Sequence, residues 1–191
     1  KILLLFILFS LYCFISFTSF FFNWHDDFSS VSNTTWYSLL LDPDIKIQNS
    51  LGKIGALISY WFIYICFGIS AFFIPFFLFF AGTQLLGYNI VSLKRYTRQS
   101  IWGLIWLPIF VHHIMGNKYH EFAGGIGVYI EGLLVDVVGH IGTTLLLFAI
   151  FIIFMTIKFD ITPSKILIFI NKLKPTKDDM EIDKMMSPIP E

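Results

Sequence analysis

Ile2 to Phe22 make a predominantly apolar run of 21 residues without one charged side chain. A helix rises ~1.5 Å per residue, so about 20 such residues cover the ~30 Å of bilayer hydrocarbon. The run is too long for a secretory signal core, and no small-residue cleavage site follows; Asn23, Trp24, His25, Asp26 and Asp27 come next. It reads as a retained first span.

Composition extends that reading to the whole chain. Of 191 residues, 56% are hydrophobic and 23 are phenylalanine, far above a soluble domain, so an integral membrane protein is expected. Basic and acidic residues balance at 13 each, which leaves no basic field for nucleic acid. Cys13 and Cys66 lie inside apolar runs and imply no disulfide framework. The chain starts at Lys1 rather than at Met and reads as a fragment, open at both ends.

The expected fold class is all-α integral membrane: four transmembrane helices, an outer interfacial or re-entrant amphipathic helix, and a short cytoplasmic amphipathic helix. Residues 1–160 form the four-span domain, with spans at about 2–22, 54–86, 101–115 and 139–157. The second run is longer than a perpendicular span needs, and Gly68 and Pro75 are placed to bend it. Polar, turn-rich residues 24–53 read as a loop with a short helix around Trp36 to Leu41. Lys94, Arg95, Arg98 and the lysines from Lys158 onward fall on the same side as Lys1, whereas Lys46, Lys53 and Lys118 fall opposite. Positively charged loops stay inside, so both termini are expected in the cytoplasm and the 24–53 loop outside.

The stretch "HEFAGGIGVYIEGLLVDVVGHIG" (120–142) is nearly greasy enough to span, yet it holds Glu131 and Asp136. On a helical wheel Ile130, Leu133, Leu134, Val137 and Ile141 share one side, with Gly132, Asp136 and Gly139 opposite and Glu131 flanking them. Spanning would place both carboxylates in hydrocarbon at a cost of several kcal/mol, whereas an outer surface helix at 126–138 leaves them in water. The "AGG" at 123–125 opens this helix, and Gly139 or Gly142 bends it into the fourth span. The small face of Gly132 and Gly139 suits close approach of another helix, or simply completes the bundle's own packing.

His112, His113, His120 and Glu121 cluster in sequence, with His140 within reach in space, and metal sites use such residues. The spacing fits no metal signature, because there is no H-E-x-x-H and adjacent histidines on a helix diverge by ~100°. Interfacial histidines bonded to headgroups or water are the plainer reading, so no catalytic, metal or cofactor residue is assigned. No nucleophile or phosphate-loop motif occurs, and no span has a charge at its middle as an ion pathway requires. At 161–191, Thr162, Pro163 and Ser164 open a short basic helix with Ile166, Phe169, Ile170 and Leu173 on one face. After Pro175 the chain reads as the start of a linker.

Two segments carry a resemblance. "NSLGKIGALISYWFIYICFGISAFFIPFFLFFAG" holds Asn49, Gly52, Gly55, Ala56, Gly68, Pro75 and Gly82, and "GGIGVYIEGLLVDVVGHIGTTLLL" holds Gly124, Gly125, Gly127, Gly139, Gly142 and Thr143. In order and spacing these resemble the four-span amino-terminal membrane domain of the FtsK/SpoIIIE DNA translocases, over roughly residues 45–160, with the first span fitting by position. The resemblance implies an anchor in the bacterial inner membrane at the division septum, acting in cell division and chromosome partition. It implies as partners the lipid bilayer, other division membrane proteins and further copies through a hexameric motor, with ATP and Mg²⁺ belonging to a motor beyond this segment. Gly124, Gly125, Gly127, Glu131, Gly132, Asp136, Gly139 and Gly142 are the candidate interaction and packing residues. The alternatives are a small membrane enzyme using His112, His113, His120 and Glu121 at the outer surface, or an accessory subunit of a larger membrane complex.

Overall fold

The first helix, α1, runs Ile2–Ser32, ten residues past the end of the apolar run. The cause is a continuing inward face. Trp24, Asp27 and Val31 are buried one helical turn apart, and Phe28 packs beside them. The loop expected from residue 24 therefore begins only after Ser32. The computed structural model describes residues 2–159, and every regular element among them is helical. The cytoplasmic helix and linker expected at 161–191 lie outside the described residues.

Helix α2 spans Trp36–Leu41, where Thr35 caps it by accepting from the Ser38 amide at 3.4 Å. The connection to the next helix is tied to α1 by hydrogen bonds. Asp27 accepts from the Gln48 amide at 2.6 Å through Oδ1 and from the Asn49 amide at 2.9 Å through Oδ2. The Asn49 side chain donates to the Ser16 carbonyl at 3.1 Å, and the Ser50 amide donates to Ser19 Oγ at 2.8 Å.

The apolar run expected as one span at 54–86 is four pieces. Helix α3 (Gly52–Ser59) passes into a π-helical stretch (Tyr60–Phe67), then a 3₁₀ stretch (Gly68–Phe72), then α4 (Phe73–Leu85). Gly68 adopts φ +56°, ψ −140°, closed to residues with a Cβ, and the direction changes there. Before Gly68 the contacts on α1 do not progress. Ser16 donates to the Gly55 carbonyl at 2.7 Å and, its proton spent, accepts from Ser59 at 2.7 Å, while Tyr60 and Tyr64 pack at a tilt against Phe28. After Gly68 they descend steadily: Phe72 packs on Phe21, Phe17 and Phe14, Ser10 donates to the Pro75 carbonyl, and Gly82 lies against Ile7. Residues 52–67 thus lie across α1, and α4 runs antiparallel beside it. Pro75 sits in the first turn of α4, where no amide donor is needed.

Helix α5 (Leu93–Met115) starts eight residues before the expected third span, its first turns carrying Lys94, Arg95 and Arg98. It packs antiparallel to α4, with Gly103 under the Phe73 ring and Phe80 edge-on to Tyr96 at 4.9 Å. A turn at Gly116–Tyr119 leads into α6 (His120–Phe159), which is interrupted at Gly124 (φ +67°, ψ +166°) and Gly139 (φ +74°, ψ +167°). These are two of the glycine positions at which the sequence expected bends.

Among the described residues, three helical stretches are long and apolar enough to cross a membrane: Leu4–Ser32, Gly52–Leu85 and the 67-residue Leu93–Phe159. The chain divides into one unit of Lys1–Thr144 and a second of Leu145–Glu191. Within the second, Leu145–Phe159 is unbroken helix, in which Thr156 returns its hydroxyl proton to the Ile152 carbonyl at 2.8 Å.

Gly124 is the position least able to change. A methyl group there would lie 2.6 Å from the Cys66 carbonyl oxygen and 2.7 Å from that of Ile63, at a φ/ψ closed to other residues. Gly124→Ala is expected to cost at least about 3 kcal/mol of stability from backbone strain and overlap. Gly132→Ala, with open space around its Cβ position, is expected to be neutral or slightly stabilising. Thermal unfolding in detergent measures both.

Candidate functional site

Glycines place the segment 125–138 against the rest of the first unit. Gly125 rests on the Ile65 carbonyl, and a Cβ on Gly127 would meet the Pro108 carbonyl oxygen at 2.5 Å. Backbone therefore packs on backbone, which side chains would prevent. Of the candidate packing glycines, Gly124, Gly125 and Gly127 are used up in these internal contacts. Gly132 and Gly139 have nothing within 4 Å of a Cβ, and Gly142 meets only Val138 of its own helix.

Close packing at Gly127 carries Glu131, one turn later, onto the end of α5. Glu131 was expected at an aqueous surface; it is 8% exposed. Its two oxygens are divided between neighbouring histidines: Oε2 lies 3.0 Å from His112 Nδ1 and Oε1 lies 2.9 Å from His113 Nδ1. The divergence of adjacent histidines argued against a common site, but one carboxylate lying between the two rings joins them. Asp136, expected beside Glu131 on the polar side, is exposed.

The outer ring nitrogens are also held. His112 Nε2 faces Asn117 Oδ1 at 3.0 Å, and His113 Nε2 faces Thr144 Oγ1 at 2.7 Å. Thr144 has one hydroxyl proton and gives it to the His140 carbonyl at 3.0 Å, so toward His113 it accepts and Nε2 carries the proton. The Asn117 amide, turned to donate its NH₂ to Nε2, leaves His112 with its proton on Nδ1, where it donates to Glu131 Oε2. His113 Nδ1 consequently presents a lone pair to Glu131 Oε1, a contact that is favourable only with a positive charge between them. The His140 ring packs edge-on to His113 at 4.3 Å and is exposed.

His120 and Glu121 are not members of this hydrogen-bonded group. The His120 ring packs at a tilt on Tyr64 at 4.3 Å, and its buried Nδ1 has no hydrogen-bond partner among the described residues. Sequence reading missed Thr144, which fixes the tautomer of His113, Asn117, which braces His112, and Asp27, which holds the loop. Thr144 sits four residues after His140, a spacing that signals a hydroxyl returning to its own helix rather than a partner for His113.

The family model described as the 4TM region of DNA translocase FtsK/SpoIIIE matches residues 1–171. The chain belongs to the FtsK/SpoIIIE family. No curated protein and no solved structure matches it. The match reaches beyond the two segments that carried the resemblance and takes in α1. This FtsK/SpoIIIE chain is therefore a multi-pass membrane region, helical in every regular element among the described residues.

Deleting the carboxylate strands two buried imidazoles. Glu131→Ala is expected to cost about 1–3 kcal/mol, the usual loss when a buried polar group is left without its partner. Glu131→Gln, whose amide still donates to one Nδ1 and accepts from the other ring, is expected to lose less than half of that. Denaturant unfolding followed by tryptophan fluorescence compares the two.

Proposed function

We propose that this chain is the membrane-anchoring and divisome-interaction region of a septal DNA translocase acting in cell division and chromosome segregation. The observation that carries the reading is the family match over residues 1–171. In this reading the ATP- and Mg²⁺-dependent motor lies beyond the chain, hexamerises there and handles DNA, while this segment binds bilayer and membrane proteins.

Four spans are compatible with three long apolar stretches because the third is too long for one crossing. Its 67 residues would measure ~100 Å as a straight helix, against ~30 Å of hydrocarbon. The breaks at Gly116, Gly124 and Gly139 divide it into α5, the segment 125–138 and a last helix. Ten of the 13 basic residues then fall inside, which supports cytoplasmic termini in the bacterial inner membrane. The second stretch crosses only after Gly68, and residues 52–67 and 125–138 both lie on the outer side.

Partner binding is assigned to that outer side. The 33–51 connection is tied down by Asp27, Ser16 and Ser19, so it presents a fixed surface. Gly132 has open space around it, and Tyr129 and Leu133 beside it are exposed. A partner helix could approach there closely. The small-enzyme reading draws on the same outer surface, but on His112, His113, Glu131 and His140 rather than on His120 and Glu121. An accessory-subunit role shares the leading reading's contacts and differs only in lacking a motor.

Isolation of the native protein with an antibody to this segment tests the proposal. The captured species is expected to carry a motor domain and to bring division membrane proteins with it. Gly132→Leu is expected to lose those partners at least severalfold while keeping membrane insertion. A captured protein of 22.1 kDa, or undiminished partners in Gly132→Leu, would contradict the proposal.

A further inference from the structure

His113, Glu131 and His140 each bring one ligand atom into a group whose members lie within 4.8 Å of one another. We propose that this group binds a divalent transition-metal ion of the zinc class, clasping α5, the segment 125–138 and the residues after Gly139 together.

The tautomers point the right atoms inward. Thr144 holds the proton of His113 on Nε2, which leaves Nδ1 bare and 2.9 Å from Glu131 Oε1. Two ligand atoms at such a separation are close to one edge of a zinc tetrahedron, ~3.3 Å for bonds of ~2.0 Å. A hydrogen bond from the far nitrogen is also how proteins orient a metal-bound histidine, and here Thr144 supplies its acceptor. Glu131's second oxygen is kept on His112, itself braced by Asn117. Two imidazoles and one carboxylate make a nitrogen and oxygen donor set suited to zinc, with a water completing the four.

Access comes through the third ligand. His113 and Glu131 are largely enclosed, with side chains 7% and 11% exposed, whereas His140 is exposed and can swing onto an arriving ion. Protons alone would satisfy the Glu131 contacts with His112 and His113, but they give no role to the convergence of His140. Because His113 is on α5 while Glu131 and His140 flank the later part of 125–138, a bound ion would hold the bend at Gly139 in place.

The test uses the whole chain in detergent, stripped with chelator and re-equilibrated with zinc or with cobalt(II) as a spectroscopic probe. The wild type is expected to retain near-stoichiometric zinc, to give the intense visible bands of four-coordinate cobalt, and to melt at a higher temperature with zinc than with magnesium. His140→Ala and Glu131→Gln are expected to bind zinc at least tenfold more weakly, and Thr144→Val roughly tenfold to hundredfold more weakly. His25→Ala, an exposed histidine remote in sequence, is expected to match the wild type. Circular dichroism confirms that each variant is folded, and His140→Ala removes only an exposed ring. Wild-type protein that keeps no zinc and shows only weak octahedral cobalt bands would overturn the proposal, as would equal zinc retention in wild type, His140→Ala and Glu131→Gln.

Discussion

Gly68 and Gly124 bring two strands of main chain into contact with no side chain between them. A Cβ on Gly68 would overlap the Phe122 carbonyl and the Ala123 carbonyl carbon, and one on Gly124 would overlap the Gly68 amide. Each glycine also holds positive φ, so each lets the chain turn at the point where the two segments meet. Losing either glycine introduces both backbone strain and a clash, with no flexible side chain able to move aside.

The rest of the first unit follows from that crossing. Once Gly124 is seated, the next turns settle on backbone at Ile65 and Pro108, and the register of Gly127 on Pro108 fixes where Glu131 reaches α5. The carboxylate then meets His112 and His113 together. On the α1 side the same economy of small residues recurs, with Ser10, Ser16 and Ser19 bonding main chain or hydroxyls of the neighbouring segments in place of bulk. Hydroxyl bonds of this kind between membrane helices contribute about 0.6 kcal/mol each on average, so they set register more than they supply stability.

Much of this was legible in the sequence, and what was not has a common cause. Apolar length marked the helices, the short helix at Trp36 to Leu41 followed from its turn-rich flanks, and glycines in greasy sequence marked bends at 124 and 139. Helix α1 outlasted its apolar run because Trp24, Asp27, Phe28 and Val31 face protein rather than lipid, which hydropathy averaged along the chain does not register. The same averaging hid the change of direction at Gly68, since residues on both sides of it are equally apolar. Glu131 was placed in water because a carboxylate in hydrocarbon is costly; its actual partners lie 18 and 19 residues away, and only the close packing at Gly127 brings them to it. The His113, Glu131 and His140 group has no sequence signature because three segments separated by turns contribute its members.

In the proposed arrangement, residues 125–138 lie at the outer face of the membrane, seated on the Gly68–Gly124 crossing. Single-cysteine variants at Tyr129 and Asp136, both exposed and away from the apolar stripe of the helix, made with Cys13 and Cys66 changed to serine, report on it directly. In cells whose outer barrier is opened but whose inner membrane is intact, both positions are expected to react with a charged, membrane-impermeant maleimide. A control cysteine at Arg95, between α4 and the apolar part of α5, is expected to react only after the membrane is dissolved. Labelling of Arg95→Cys in intact cells with protection of Tyr129→Cys and Asp136→Cys would contradict the arrangement.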